Sequence, residues 1–174
     1  AKKQSKKFRN LLNNKETAII IAPTRELALQ IEKEFNEFAV GMKMWAVSCV
    51  GGAPIFAQIK NLRRGCNLVI GTPGRLLDLV KRGEIDLSTT RNVVLDEADR
   101  MLDMGFIDDI TFLLEKTAND RQTFLFSATL PKPIEVLISR FTKDPVRVIV
   151  KTRDTSKNVE QDVVRVARGI DKID

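Results

Sequence analysis

At 174 residues the chain has the length of a single domain, and 43% hydrophobic with 30% charged residues is the balance of a folded globular protein. It has no histidine and only two cysteines, Cys49 and Cys66, which excludes Ser-His-Asp and Cys-His nucleophiles, the usual zinc sites and a disulfide framework, and points to a reducing, intracellular setting, cytoplasmic or nuclear. The net charge of +6 is concentrated in residues 1–16, where six basic groups face one acid; such a run is more often a solvated helix face than a binding site, so bulk charge alone does not define a nucleic-acid protein.

Along the chain, Phe8, Leu11 and Leu12 open a helical pattern, and Thr17–Ala22 follows as the first strand. Its apolar core, Ala18 to Ala22, stops at Pro23 and is far shorter than the roughly 18 residues a membrane span needs, so no membrane partner is expected. Leu27, Ile31, Phe35 and Phe38 recur at helical spacing, then Met44–Val50 and Asn67–Ile70 read as strands. Thr72-Pro73 suits a helix start, with Leu76, Leu77 and Val80 as its apolar stripe. Asn92–Leu95 and Gln122–Phe126 are further strands, separated by a helix around Leu113 and Leu114. Ile134, Leu137 and Ile138 mark a last helix before a strand at Val146–Val150. Lys151 to Lys157 reads as a linker, and Val159, Val163, Val164 and Val166 as the beginning of another strand.

Short, continuously apolar strands alternating with helices predict an α/β fold: a parallel sheet buried on both faces by helices. Ligands in such sheets sit at the carboxyl ends of the strands. The aromatic residues Trp45, Phe35, Phe38, Phe124 and Phe126 are expected to pack in the core and not to stack on bases, and both cysteines to be small core residues.

Asp96-Glu97-Ala98-Asp99 follows the apolar run Val93-Val94-Leu95. Adjacent carboxylates at a strand end repel one another, and a hard cation such as Mg²⁺ would relieve that cost. The alternative is a helix N-terminus, where acids complement the dipole. Around this quartet stand Pro23-Thr24-Arg25-Glu26-Leu27-Ala28, Gly51-Gly52, Thr72-Pro73-Gly74-Arg75, Met101-Leu102-Asp103-Met104-Gly105-Phe106 and Ser127-Ala128-Thr129. In this order and spacing the segments, from about Thr17 to Val150, resemble the N-terminal RecA-like domain of the DEAD-box ATP-dependent RNA helicases.

The resemblance implies roles residue by residue. Asp96 matches the family's Mg²⁺ contact, made through water, and Glu97 the residue that orients and activates the water attacking the γ-phosphate. Asp99, Ser127 and Thr129 match elements coupling the nucleotide site to RNA and to a second RecA-like domain; taken alone, Ser127 and Thr129 would read as helix caps ahead of Pro131. Thr24, Arg25, Gly52, Thr72, Gly74 and Arg75 match sequence-independent contacts to the RNA backbone. Chemistry agrees, since glycine admits close approach and hydroxyls, helix N–H groups and arginine bind phosphate.

One departure stands out. The phosphate-binding loop G-x-x-x-x-G-K-[ST] does not occur, because none of the nine glycines precedes a lysine. The expectation is therefore a fragment: residues 1–150 as a partial RecA-like helicase domain, and 151–174 as the interdomain linker and the start of the second domain. ATP and Mg²⁺ are implied for the parent protein, while this fragment alone is expected to bind neither and to be inactive as an ATPase. Removal of the strand before that loop is expected to leave an unpaired edge beside Gln122–Phe126. The competing reading is a non-catalytic RNA- or protein-binding module, and a DNA helicase is a third.

Overall fold

In the computed structural model, which describes residues 18–42 and 44–150, five strands and six helices alternate. The strands are β1 (Ala18–Ile21), β2 (Ala46–Cys49), β3 (Leu68–Gly71), β4 (Asn92–Leu95) and β5 (Gln122–Leu125). All pair in parallel, in the order β2-β3-β1-β4-β5. Their registers coincide: Ile21 lies beside both Gly71 and Leu95, Gly71 beside Cys49, and Leu95 beside Leu125. Every strand therefore ends at the same edge, and every following loop opens onto it. Among the described residues β5 stands at one edge of this sheet.

The helices are α1 (Arg25–Phe38), α2 (Ile55–Arg64), α3 (Pro73–Lys81), α4 (Ala98–Asp103), α5 (Ile107–Lys116) and α6 (Lys132–Phe141). One face of the sheet packs Ile19, Ile21, Val69, Val93 and Leu95 against Leu62, Leu76, Leu79, Met101, Leu113 and Ile134, which come from α2 to α6. Fully burying side chains of this size contributes about 1.5–3 kcal/mol each, so this face is the main core. On the other face, Leu68 and Ile70 meet Ala28, with Leu27, Ile31 and Phe35 beside them. Helices thus cover both faces, but among the described residues only α1 contributes to the second core.

That imbalance corrects the expectation of strands buried on both faces. Only β3 is buried at every position, whereas β1, β2 and β4 alternate between half-buried and buried. Among the described residues β5 has no neighbour on one side, and Phe124 and Phe126 are exposed. Phe38, at the carboxyl end of α1, and Trp45, before β2, are also exposed, so of the five aromatics assigned to the core only Phe35 packs there. Trp45 is instead tied to the surface by its indole N–H, which donates to the Gly65 carbonyl at 3.1 Å.

Val146–Val150 is not a strand. Val146, Val148, Ile149 and Val150 are all exposed, because no described strand lies beside them to complete a ladder. The expected first helix (Phe8 to Leu12), the linker and the strand from Val159 fall outside the described residues. No described helix is long and apolar enough to cross a membrane.

Both cysteines are buried, as expected. Burial is the main force pushing the Cys49 thiol up to about 12 and the Cys66 thiol up to about 11. Since the thiolate is the nucleophile, neither should react with a thiol reagent in the native protein at pH 8. Absorbance with Ellman's reagent should stay flat until denaturant is added and then report both thiols.

Candidate functional site

The chain crosses the carboxyl edge of the sheet five times, and two clusters result. Over β1, β2 and β3, three helices begin. Thr24 caps α1, its hydroxyl accepting from the Leu27 N–H at 3.2 Å, which leaves the hydroxyl proton free to donate outward. Thr72 precedes Pro73 at the start of α3 and makes no side-chain cap, so its hydroxyl is uncommitted. The N-termini of α1, α2 and α3 aim partial positive charge at this edge.

Between them, Gly51 and Gly52 turn the chain from β2 into α2. Gly52 has φ +72°, a left-handed conformation that only glycine adopts readily. A Cβ at Gly52 would overlap the Arg25 guanidinium, which lies against the bare backbone. From the other side, Arg75 Nη1 donates to the Ala53 carbonyl at 3.1 Å. Two arginines thus converge on one glycine turn. Gly74 is exposed, and a Cβ there would come no nearer than 3.9 Å to the Asp109 carboxylate, so space alone does not require glycine at 74.

Gly52→Ala should lower stability by about 1–2 kcal/mol through left-handed strain. Thermal melting of the parent and the variant checks this.

Over β4 and β5 the second cluster is acidic. Asp96 follows β4 and accepts the Glu97 N–H on Oδ1 at 3.0 Å. Glu97 itself sits at φ 49°, ψ 53°, a left-handed conformation that costs a non-glycine residue about 1–2 kcal/mol. Its Oε2 accepts from Arg100 Nη1 at 3.0 Å, an exposed pair of small energetic weight. Asp99 is bound more firmly. Its Oδ2 accepts the Thr129 N–H and hydroxyl, both at 2.8 Å, while its own N–H donates to Ser127 Oγ at 3.2 Å. Ser127 Oγ donates in turn to the Thr129 carbonyl at 2.6 Å. Partial burial pushes the Asp99 carboxyl up, but the hydrogen bonds from the Thr129 hydroxyl and N–H and from the Arg100 N–H outweigh it and hold the group below the usual carboxylate range.

Asp96, Glu97, Asp99 and Asp103 line an open cleft of about 550 Å³ with Phe126 and Ser127. Carboxylate oxygens suit Mg²⁺, yet among the described residues no group of three or more ligating side chains forms a closed cage. The donor set fits a cation that takes most of its ligands from water and substrate phosphate, which is the habit of Mg²⁺.

The structure therefore brings Asp96, Glu97, Asp99, Ser127 and Thr129 together, and separately Thr24, Arg25, Gly52, Thr72, Gly74 and Arg75. Among the described residues no side-chain hydrogen bond or ion pair joins the two clusters. Arg100 and Gln58 were not singled out from the sequence, and Asp103 stood in the Met101 to Phe106 segment without a role. Arg100 lies one position past the acidic quartet, and Gln58 is a polar residue within the Ile55, Ile59, Leu62 stripe.

A five-stranded parallel sheet that collects these loops on one edge, between layers of helices, is a RecA-like domain. The sequence profile of the DEAD/DEAH box helicases matches residues 5–137, and the chain belongs to that family. It is 46% identical over 156 residues to the RNA helicase CrhR of Synechocystis sp., covering 89% of this chain and 32% of that protein. A hypothetical ATP-dependent RNA helicase from Sulfolobus tokodaii superposes with a TM-score of 0.71 at 39% identity, covering 82% of this chain and 43% of that one. A DEAD box protein from the hyperthermophile Methanococcus jannaschii gives 0.72 at 38% identity, covering 83% and 41%. The chain thus spans about a third of the curated relative and less than half of each solved structure.

Proposed function

We propose that the protein containing this sequence couples ATP binding and hydrolysis to separation of RNA duplexes or remodelling of RNA–protein complexes. The observation that carries the reading is the Asp99–Ser127–Thr129 network, which ties the loop holding Asp96 and Glu97 to the loop after β5. A change at the acidic cleft is thereby transmitted to a second segment of the edge.

In this reading Asp96 holds Mg²⁺ through water, and Glu97 orients the attacking water and accepts its proton. Magnesium neutralises phosphate charge, and catalysis in such a loose transition state is mostly positioning and electrostatics. Thr24, Arg25, Gly52, Thr72, Gly74 and Arg75 hold the RNA backbone. Contacts of this kind position a strand without reading its bases, and preference for RNA must come from 2′-hydroxyl groups. A second RecA-like domain completes the site in the longer protein. Because this sequence has no G-x-x-x-x-G-K-[ST] loop, the chain by itself has no cradle for the phosphates and does not turn over ATP.

The test is ATP hydrolysis by the full-length gene product and by this chain, each with and without single-stranded RNA and matched DNA. RNA-dependent turnover by the long protein alone supports the reading. Binding of RNA without turnover by the long protein would replace it with a non-catalytic binding module, and equal stimulation by DNA would remove the RNA assignment.

A further inference from the structure

Gln58 lies in the middle of α2, on the face that carries Ile55, Ile59 and Leu62 into the main core, and it is 6% exposed. A buried carboxamide among apolar neighbours needs a reason. Its Nε2 donates to the Val50 carbonyl at 2.9 Å, but its Oε1 is buried with no partner among the described residues. A leucine or methionine would fill the same space and remove the unpaired Oε1, losing only the donor to the Val50 carbonyl, so packing does not explain the amide.

Its one bond does. Val50 is the residue between β2 and the Gly51-Gly52 turn, so the amide fixes the point from which that turn departs. The same turn carries the left-handed Gly52, lies against the Arg25 guanidinium, and is held at Ala53 by Arg75. Three side chains from three different helices thus hold the four residues Val50 to Ala53, and two of them are candidate phosphate ligands. Gln58 is the only one of the three that is buried and cannot itself reach RNA.

We propose that Gln58 is a positioning residue for RNA binding: from inside the core its carboxamide anchors the Gly51–Ala53 turn in the conformation that presents backbone and arginines to a phosphate. This rests on the RNA reading of the same edge. It goes further by assigning a role to a residue that touches neither RNA nor nucleotide. A turn without its anchor samples other conformations, and RNA then binds only the competent fraction.

The test uses the full-length gene product, fluorescein-labelled decauridylate and steady-state ATP hydrolysis, comparing the parent protein with Gln58→Met, which keeps length and apolar contact. The expected result is an approximately tenfold weaker RNA affinity and a matching rise in the RNA concentration for half-maximal ATPase. The rate at saturating RNA and the KM for ATP should be unchanged, and the melting temperature should move by only a few degrees. A purely structural role would lower stability or the maximal rate and leave that split absent. If the parent binds decauridylate and the variant binds it equally well, this inference is wrong while the RNA reading survives. If the parent fails to bind at all, the RNA reading falls and this inference with it. Should Gln58→Met not fold, the side-chain amide resonance of Gln58 in the parent decides: it must shift on saturation with decauridylate, and an unmoved signal overturns the proposal.

Discussion

Glu97→Gln in the full-length protein should lower RNA-stimulated ATP hydrolysis by roughly two to four orders of magnitude, the range for loss of a positioned general base. Gln keeps the length and planarity of the side chain and so preserves shape, but a carboxamide cannot take the proton of an attacking water. Folding should be spared. Among the described residues the carboxylate's one ion pair is with Arg100 at 3.0 Å, and it is exposed, so its loss costs at most about 1 kcal/mol. The left-handed backbone at position 97 is the same strain for either residue. Affinities for nucleotide and RNA should therefore remain within a fewfold of the parent while turnover collapses, a pattern visible in parallel binding and single-turnover assays. Arg100→Ala is the matching control. It removes the same ion pair from the other side and should keep hydrolysis within about threefold, because a surface pair of this kind holds the carboxylate only weakly. If Glu97→Gln retained more than a tenth of the parent's turnover, Glu97 would be only one more acid in the cleft.

Much of this was legible in the residues before any geometry. Apolar runs of four to seven residues, interrupted by helical stripes, place β4 at its observed ends, β1, β3 and β5 within one residue of theirs and β2 within two. The parallel order then puts every candidate residue on one edge, since each follows a strand directly. What escaped did so for physical reasons. Val146 to Val150 has the composition of a strand, but a strand is a pairing, and composition does not supply a partner. Phe124 and Phe126 alternate as a strand should, yet exposure depends on the neighbouring strand and not on the residue. Helix α2 was hidden by Gln58, whose amide breaks an otherwise apolar period, and α4 is only six residues long. At the site, the identities of Asp99, Ser127 and Thr129 were readable, whereas their closure into one hydrogen-bonded unit was not. It links positions 28 and 30 apart in the chain, and no local pattern encodes that distance.

That unit makes the second large effect. Asp99→Ala should reduce RNA-stimulated hydrolysis by roughly ten- to a hundredfold while leaving ATP affinity nearly unchanged, because the carboxylate accepts both hydrogen bonds by which Thr129 holds the loop after β5 to the acidic loop. Stability is a poor readout here. Thr129 is exposed, so water can replace the lost acceptor, and the melting temperature should hardly move. Coupling is the sharper one: if Asp99 and Thr129 act as a unit, Thr129→Val should cost little once Asp99 is already Ala, and a double-mutant cycle should show strong non-additivity. Additive losses would mean that the two residues act independently and that the network is incidental. The pH dependence has a definite sign. A carboxyl whose folded pKa is depressed contributes its interaction above the unfolded carboxylate range and loses it only as pH falls through the lower, folded value. Between about pH 5 and 8 the Asp99 clamp therefore stays ionised and closed, and the cycle energy should be flat across that window. A cycle energy that decayed on going from pH 8 to pH 6 would show that some other group carries the coupling.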